Sequence, residues 1–322
     1  MSAPSCKLCG STRHAVIRDT LRHGIKRKVL RCIRCSFVFL EPKKKGSRDY
    51  YSGKEYRKRY GPTINKASTP REIFDMYLPF QSRIVDEFRN ALKPGIKVLD
   101  VGCSAGHLLA ALKGKVKERV GIELSREEAA FVRKTQGIPV YSEAIETVDI
   151  PEGPFDLVVS ARVLEHVEDP LVFLKALARH VKPGGYVYLD VPNLNDALLS
   201  LFNVSGYADR YFREPHLSYF SPKTFKRFLT KAGYRGTVKT VQRYNMLNAM
   251  NWIETGKPQA NFTIGNRIPT LAEDSSGHTK ARRDLNALIK VTDERYKRIL
   301  EKHGLGEALV FFGTVNKSSE RK

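Results

Sequence analysis

The chain has 322 residues, 41% of them hydrophobic, enough for one sizeable core with additions. It contains no run of eighteen apolar residues and no apolar leader at Met1–Cys6, so the sequence predicts a cytoplasmic protein with no membrane span. The net charge of +22 attracts nucleic acid, anionic membrane or phosphorylated substrates. A generally basic host gives the same sum, because the lysines and arginines are dispersed as well as clustered.

Residues 1–40 hold Cys6-x2-Cys9-Gly10 and Cys32-x2-Cys35, with 22 residues between the pairs. Four thiolates at that spacing suit tetrahedral zinc, and Gly10 suits the tight knuckle turn. Four of the five cysteines fall in these pairs. That usage fits metal binding in a reducing compartment better than disulfides. His14-Ala-Val-Ile-Arg, Lys28-Val-Leu-Arg and Phe37-Val-Phe-Leu read as the short hairpins of a zinc ribbon. So small a unit cannot bury enough apolar surface alone, so structural Zn2+ on Cys6, Cys9, Cys32 and Cys35 is expected. Four thiolates leave no open position for zinc catalysis.

Residues 41–93 read as a linker and an N-terminal helix. Lys43-Lys44-Lys45 and Lys54-Glu-Tyr-Arg-Lys-Arg-Tyr60 interleave charge with Tyr50, Tyr51, Tyr56 and Tyr60. Aromatics among cations can stack bases, hold phosphates or cover a cofactor; a solvated connector with packed tyrosines has the same composition. Ile73, Tyr77, Phe80, Ile84 and Phe88 share one face of a single helix predicted over 71–91.

From residue 94 to 318 strands and helices alternate, which predicts an α/β domain with a mostly parallel sheet covered by helices. Strands are expected at 96–101, 117–122, 138–141, 155–160, 185–191 and near 234–243, with a last one at 308–315. Helices are expected at 106–113, 125–136 and 169–181, the last opening on Asp169-Pro170, a cap followed by proline at the first turn. Another starts at Ser221-Pro222 and closes at Gly233. Residues 245–304 break this rhythm with Trp252 and a charged helix from 280 to 302, and are expected to form a helical cap over the substrate side.

The organising stretch is Val98-Leu-Asp-Val-Gly-Cys-Ser-Ala-Gly-His-Leu-Leu109: a buried strand, a glycine turn and a helix opening. A dinucleotide fold needs G-x-G-x-x-G here. This chain has Asp100, then Gly102-x-Ser104-x-Gly106. That form resembles motif I of the class I S-adenosylmethionine (SAM) methyltransferases, with Ser104 at the usual middle glycine. Glu123 follows Gly102 by 21 residues, where an acid accepts ribose hydroxyls; a dehydrogenase would carry it too. Phe155 to Pro170, with Leu164-Glu165-His166-Val167, closely resembles the fourth-strand motif of small-molecule SAM methyltransferases. Lys182-Pro-Gly-Gly-Tyr-Val-Tyr-Leu-Asp-Val-Pro-Asn193 resembles their fifth strand, and His216-Leu-Ser-Tyr-Phe-Ser221 also fits. The resemblance implies a Rossmann-like seven-stranded sheet whose last two strands pair antiparallel. It implies SAM held by Asp100, Gly102, Cys103, Ser104, Gly106, Glu123 and Leu124. Further contacts are expected from Glu143, Ala144, Ser160 and Arg162.

Methyl transfer needs a nucleophile in line with the methyl carbon and a group that takes its proton. His166 and His216 are the candidate bases, since imidazole titrates near neutrality. Related quinone O-methyltransferases hold a divalent metal with Glu-x-x-Glu-His at this place. Arg162 replaces the first Glu, so no catalytic metal is expected, and Arg162 is free to pair with a substrate carboxylate or phosphate. A ribbon ahead of this core resembles a bacterial and archaeal subgroup that often methylates glycans or secondary metabolites. The leading expectation is therefore methyl transfer to a small-molecule or glycan acceptor, at oxygen. An RNA methyltransferase using the basic surface and the ribbon is the alternative. A non-catalytic binding protein is the third reading, opposed by the intact Asp100, Gly102, Gly106 and Glu123 set.

Overall fold

Residues 3–43, 69–271 and 278–316 are described by the computed structural model. Lys44, Lys45 and the tyrosine-rich stretch from Tyr50 to Tyr60 lie outside the described residues. The N-terminal segment forms three antiparallel strands, β1 His14–Thr20, β2 Lys26–Cys32 and β3 Val38–Leu40. They sit where the short alternating segments around the cysteine pairs predicted hairpins.

Helix α1, Pro70–Tyr77, opens on a capping box in which Thr69 Oγ1 accepts from Glu72 N and the Glu72 carboxylate accepts from Thr69 N. The single helix expected over 71–91 is broken. Pro79 sits in a tight 3-10 turn, Leu78–Phe80, and α2 runs only Gln81–Glu87. Proline lacks the N–H the helix ladder needs, and its ring crowds the preceding turn.

The central sheet and its helices then follow in chain order. They are β4 Lys97–Val101, α3 His107–Ala111, β5 Glu118–Ile122, α4 Arg126–Gln136, β6 Val140–Tyr141, β7 Phe155–Ala161, α5 Pro170–Arg179 and β8 Val181–Pro192. Next come α6 Ala197–Ser200, α7 Ser205–Tyr211, β9 Ser218–Tyr219, α8 Pro222–Lys231 and β10 Tyr234–Val241. The chain closes through α9 Met246–Thr255, α10 Phe262–Asn266, α11 Thr279–Lys302 and β11 Ala308–Val315. Seven strands lie in the order β10-β11-β8-β7-β4-β5-β6. Strands β8, β7, β4, β5 and β6 run parallel, and β11 lies antiparallel between β8 and β10. This is the Rossmann-like methyltransferase sheet the motifs implied. Its central strands are covered on both faces, so Val187 to Val191 of β8 are all buried.

The ribbon is not a separate bead. Strand β9, from the middle of the chain, pairs with β3 in register Val38↔Tyr219 and Phe39↔Ser218, completing a second sheet β1-β2-β3-β9. Phe37 packs on Phe220 and Phe228 at ring distances of 5.9 and 4.8 Å. A boundary at residue 40 therefore cuts through a shared sheet and a shared core. The insertion between β10 and β11 is helical, as expected. Its first two helices are pinned by buried Asn245, which caps α9 at Asn248 N and donates to Ile264 O and Arg267 O. Among the described residues no helix is long and apolar enough to cross a membrane.

Candidate active site

At the end of β4 the chain turns through Gly102, Ser104 and Gly106 with φ of 81°, 50° and 76°, all left-handed. A side chain at Gly102 would collide with Val163, and one at Gly106 would come within 2.6 Å of Gln136 Nε2. Glycine is demanded there by packing as well as by φ. Ser104 adopts the same hand at a cost of about 1 kcal/mol. Gly102 N and Cys103 N both donate to Ile122 O, which ties the loop to the end of β5. One residue further, the Glu123 carboxylate accepts from Ser104 N through Oε2 and from Ser125 N through Oε1, each at 2.8 Å. Asp100 is buried, with no hydrogen-bond partner among the described residues, and burial followed by repulsion from Glu123 pushes its carboxyl up to about 7.

These groups line a cavity of about 1070 Å3, at the upper end of the range for small-molecule sites. Asp100, Gly102, Cys103, Ser104, Glu123 and Leu124 stand on its wall, and so do Glu143, Ala144, Arg162, His166 and His216. Gly106 and Ser160 do not. Gly106 lies behind the loop as the cap of α3, and Ser160 is buried inside β7 with its hydroxyl unpartnered. Arg162 departs from its expected role. Its guanidinium meets Asp190 and Glu307 at 2.8 Å each, and Arg243 bonds the same two carboxylates from the other side. Two cations and two anions close a ring between β7, β8 and the ends of β10 and β11, so Arg162 is occupied within the chain.

A tight turn after β7, Leu164–His166, brings three groups together. The His166 Nδ1 lies 3.0 Å from Pro215 O, which makes it the N–H donor and leaves the lone pair on Nε2. That Nε2 is 3.8 Å from Glu165 Oε1. His216 stands edge-on to His166 at a ring distance of 4.9 Å. Arg213 Nε donates to His216 Nε2 at 2.8 Å, so the His216 proton sits on Nδ1. Burial first, then the charges of Arg213 and His166, push His216 well below the ordinary imidazole range. Glu165 is 1% exposed, with both carboxylate oxygens unbonded among the described residues. Burial raises its carboxyl to about 7 against the opposing pull of Arg162. Donor atoms of Glu165, His166 and His216 lie within 4.8 Å of one another. Arg213 already holds the His216 lone pair and Arg162 lies close, so the set suits proton transfer better than a cation.

The far wall is aromatic. Phe262 of α10 packs on Tyr77 and Phe80 at 5.3 and 5.5 Å, and Tyr207 packs on Trp252 at 5.1 Å. The insertion thus contributes Trp252 and Phe262 to the cavity lining. Sequence reasoning missed Ser142, whose hydroxyl is buried without a partner on the cavity wall, though it lies in the same loop as Glu143. It also missed Arg210, Tyr211 and Arg213. The signal was available in Asp209-Arg-Tyr-Phe-Arg-Glu-Pro-His216, where cations and aromatics alternate just before a candidate base.

In the ribbon, Cys6 and Cys35 Sγ are 3.5 Å apart, as are Cys9 and Cys32, and all four sulfurs lie within 4.8 Å of one another. A zinc tetrahedron with 2.3 Å bonds has sulfur edges of about 3.8 Å. The two knuckles repeat one turn: Gly10 N donates to Cys6 O and Ser36 N to Cys32 O, with Gly10 and Ser36 both left-handed.

The model of a family described as a methyltransferase domain matches residues 75–238, about half of the chain, and the chain belongs to that family. It is a SAM-dependent methyltransferase. A ubiquinone biosynthesis O-methyltransferase of Thiobacillus denitrificans is 32% identical over 186 residues, covering 55% of this chain and 79% of that protein. One of the same description from Pseudomonas aeruginosa is 36% identical over 134 residues, covering 40% of this chain and 56% of that one. A solved SAM-dependent methyltransferase from Archaeoglobus fulgidus shares 17% identity over 80% of this chain and 97% of its own, with a TM-score of 0.46.

Proposed function

We propose that this enzyme methylates a hydroxyl oxygen of a small-molecule or glycan acceptor, with His166 as general base. Bound SAM supplies an electrophilic methyl group on a sulfonium. The chain's residues fit it: buried Asp100 lacks a cation, the left-handed loop around Ser104 lets the backbone approach closely, and Glu123 presents two oriented oxygens to a ribose. Leu124, Glu143 and Ala144 flank the adenine side. Gly106 and Ser160 act behind the wall rather than in contact. The relatives named as O-methyltransferases support oxygen as the acceptor atom. Cys6, Cys9, Cys32 and Cys35 hold structural Zn2+, which the near-tetrahedral sulfur spacing supports.

The observation that carries the acid–base assignment is the pairing of His166 with Glu165 at the cavity wall. Pro215 O fixes the His166 tautomer so that Nε2 accepts the acceptor's proton, and ionised Glu165 then stabilises the imidazolium. His216, held below the imidazole range and engaged by Arg213, is the poorer base and orients His166 through its ring edge. Replacing His166 by Ala should lower turnover by about 10²–10⁴-fold, read as one added methyl in a metabolite extract supplied with SAM. The SAM dissociation constant should move by less than about threefold. Glu165 must be charged to act, so the rate should climb as pH rises through about 7, and Glu165→Gln should flatten that limb. A wild-type profile flat from pH 6 to 8, or SAM binding lost with His166, would refute the assignment.

One observation favours the RNA reading. Arg34, Lys223, Lys226, Arg227 and Lys231 gather along a shallow groove where the cysteine knuckle meets α8, away from the cavity. If that groove tracks a phosphate backbone, RNA binding should weaken steeply with salt and lose slope when Lys223 and Lys226 become Ala. Salt-independent or absent binding removes that reading.

A further inference from the structure

Among the charged residues on the cavity wall, two groups stand out. Asp100, Glu123 and Glu143 stand at the glycine-loop end, where a cationic cofactor suits them. On the opposite side Asp190 and Glu307 are matched by Arg162 and Arg243, and Asp196 accepts from Tyr207 Oη at 2.6 Å and from Leu198 N. Arg210 belongs to neither group. It lies half-buried on α7 facing the cavity, and among the described residues no acceptor reaches its guanidinium. Arg213, three residues on, uses Nε on His216 and has no acidic partner within ion-pair distance among the described residues. Between them Tyr211 lines the same cavity with its hydroxyl enclosed and unbonded. Burial and the like charge of Arg213 weaken the hold of Arg210 on its proton. A half-buried cation with no carboxylate bonded to it, beside a buried hydroxyl that has no partner, forms an arrangement that costs stability until a ligand supplies an acceptor.

We infer that the acceptor carries an anionic group, phosphate or carboxylate, which Arg210 grips from α7 with Tyr211 and Arg213 as further donors. This rests on the reading of a small acceptor beside His166 and narrows it. Guanidinium pairs such oxyanions through parallel N–H bonds, which fixes orientation as well as affinity. The segment 210–216 would then hold the anion at one end and the His166–His216 pair at the other. The group methylated would thus lie a few bonds from the charge.

The test uses the zinc-loaded full chain saturated with S-adenosylhomocysteine, titrated calorimetrically with inorganic phosphate, pyrophosphate and benzoate against chloride at constant ionic strength. At least one oxyanion should bind saturably, and Arg210→Gln should weaken it about tenfold or more, the loss of one charge-assisted pair. Arg210→Lys should recover part of it. Preference for the phosphates or for benzoate tells which anion the acceptor bears. Failure of every oxyanion to saturate, or equal binding by wild type and Arg210→Gln, overturns the subsite. A variant that still binds SAM normally in that case leaves the methyltransfer reading intact, whereas loss of SAM binding in wild type would strike that reading itself.

Discussion

The glycine-loop wall of the cavity comes from one stretch of chain, Asp100 to His166, while the wall facing it is gathered from several stretches far apart in sequence. Arg22 reaches in from the N-terminal sheet, Arg210 to His216 from the segment after α7, Asn248 to Asn266 from the insertion, and Tyr296 from the long helix α11. The first wall is fixed by local chemistry: a strand end, left-handed turns and an acid one strand over. The second is fixed by long-range pairing. Arg22 N donates to Phe212 O, Leu40 N to Leu217 O, Arg18 pairs with Asp209 and Lys43 with Glu214, so the ribbon grips the segment 209–217 at four points. A wall set by strand ends and local turns tolerates change outside it. An assembled wall depends on every piece that holds it, including the four-cysteine ribbon.

The harshest way to break this comparison is to remove cysteines from the ribbon's four-sulfur cluster. Structural zinc contributes about 10–16 kcal/mol to small modules of this kind, so Cys32→Ser with Cys35→Ser should unfold β1–β3 and release β9 from its partner strand. Methyl transfer should fall by more than about 100-fold as Arg213 and His216 lose their frame. SAM affinity, measured by calorimetry, should change by less than about threefold. Loss of both together would mean that the shared core around Phe37, Phe220 and Phe228 makes the two walls one cooperative unit.

The converse change attacks the local wall. Gly102→Ala adds a methyl that meets Val163 at a left-handed position. Strain and overpacking of a few kcal/mol should weaken SAM binding on the order of 100-fold. The zinc content, read by elemental analysis, should stay at one ion per chain. Loss of zinc in this variant would show that the loop supports the ribbon as much as the ribbon supports the acceptor side.

The same contrast explains what the sequence disclosed. Asp100, Gly102, Glu123 and His166 were legible because each is set by spacing within or next to a strand, and β11 was read at its observed bounds because its apolar run is continuous. Strand β9 is two residues long and exists because β3 pairs with it, which no local periodicity reveals. Helix α7 starts without a side-chain cap and spans 7 residues, too few for a clear apolar stripe. Arg162 lines the cavity, but its partners Asp190 and Glu307 sit 28 and 145 positions away in the chain. Only folding brings them to its guanidinium.

The gentlest probe concerns Ser104, the one residue where the glycine loop departs from the form it resembles. Glycine there would relieve about 1 kcal/mol of left-handed strain. It would also loosen the unfolded chain, which costs the folded state about 0.5–1 kcal/mol. The hydrogen bond to Glu123 comes from the Ser104 backbone and survives the change. The two terms nearly cancel, so Ser104→Gly should leave the melting temperature within about 2 °C and SAM affinity within about twofold. A tenfold loss of affinity would mean that the serine hydroxyl itself touches the ligand. The local wall would then contain a contact that motif spacing conceals, and the division between a wall read from sequence and a wall assembled by folding would blur at its sharpest point.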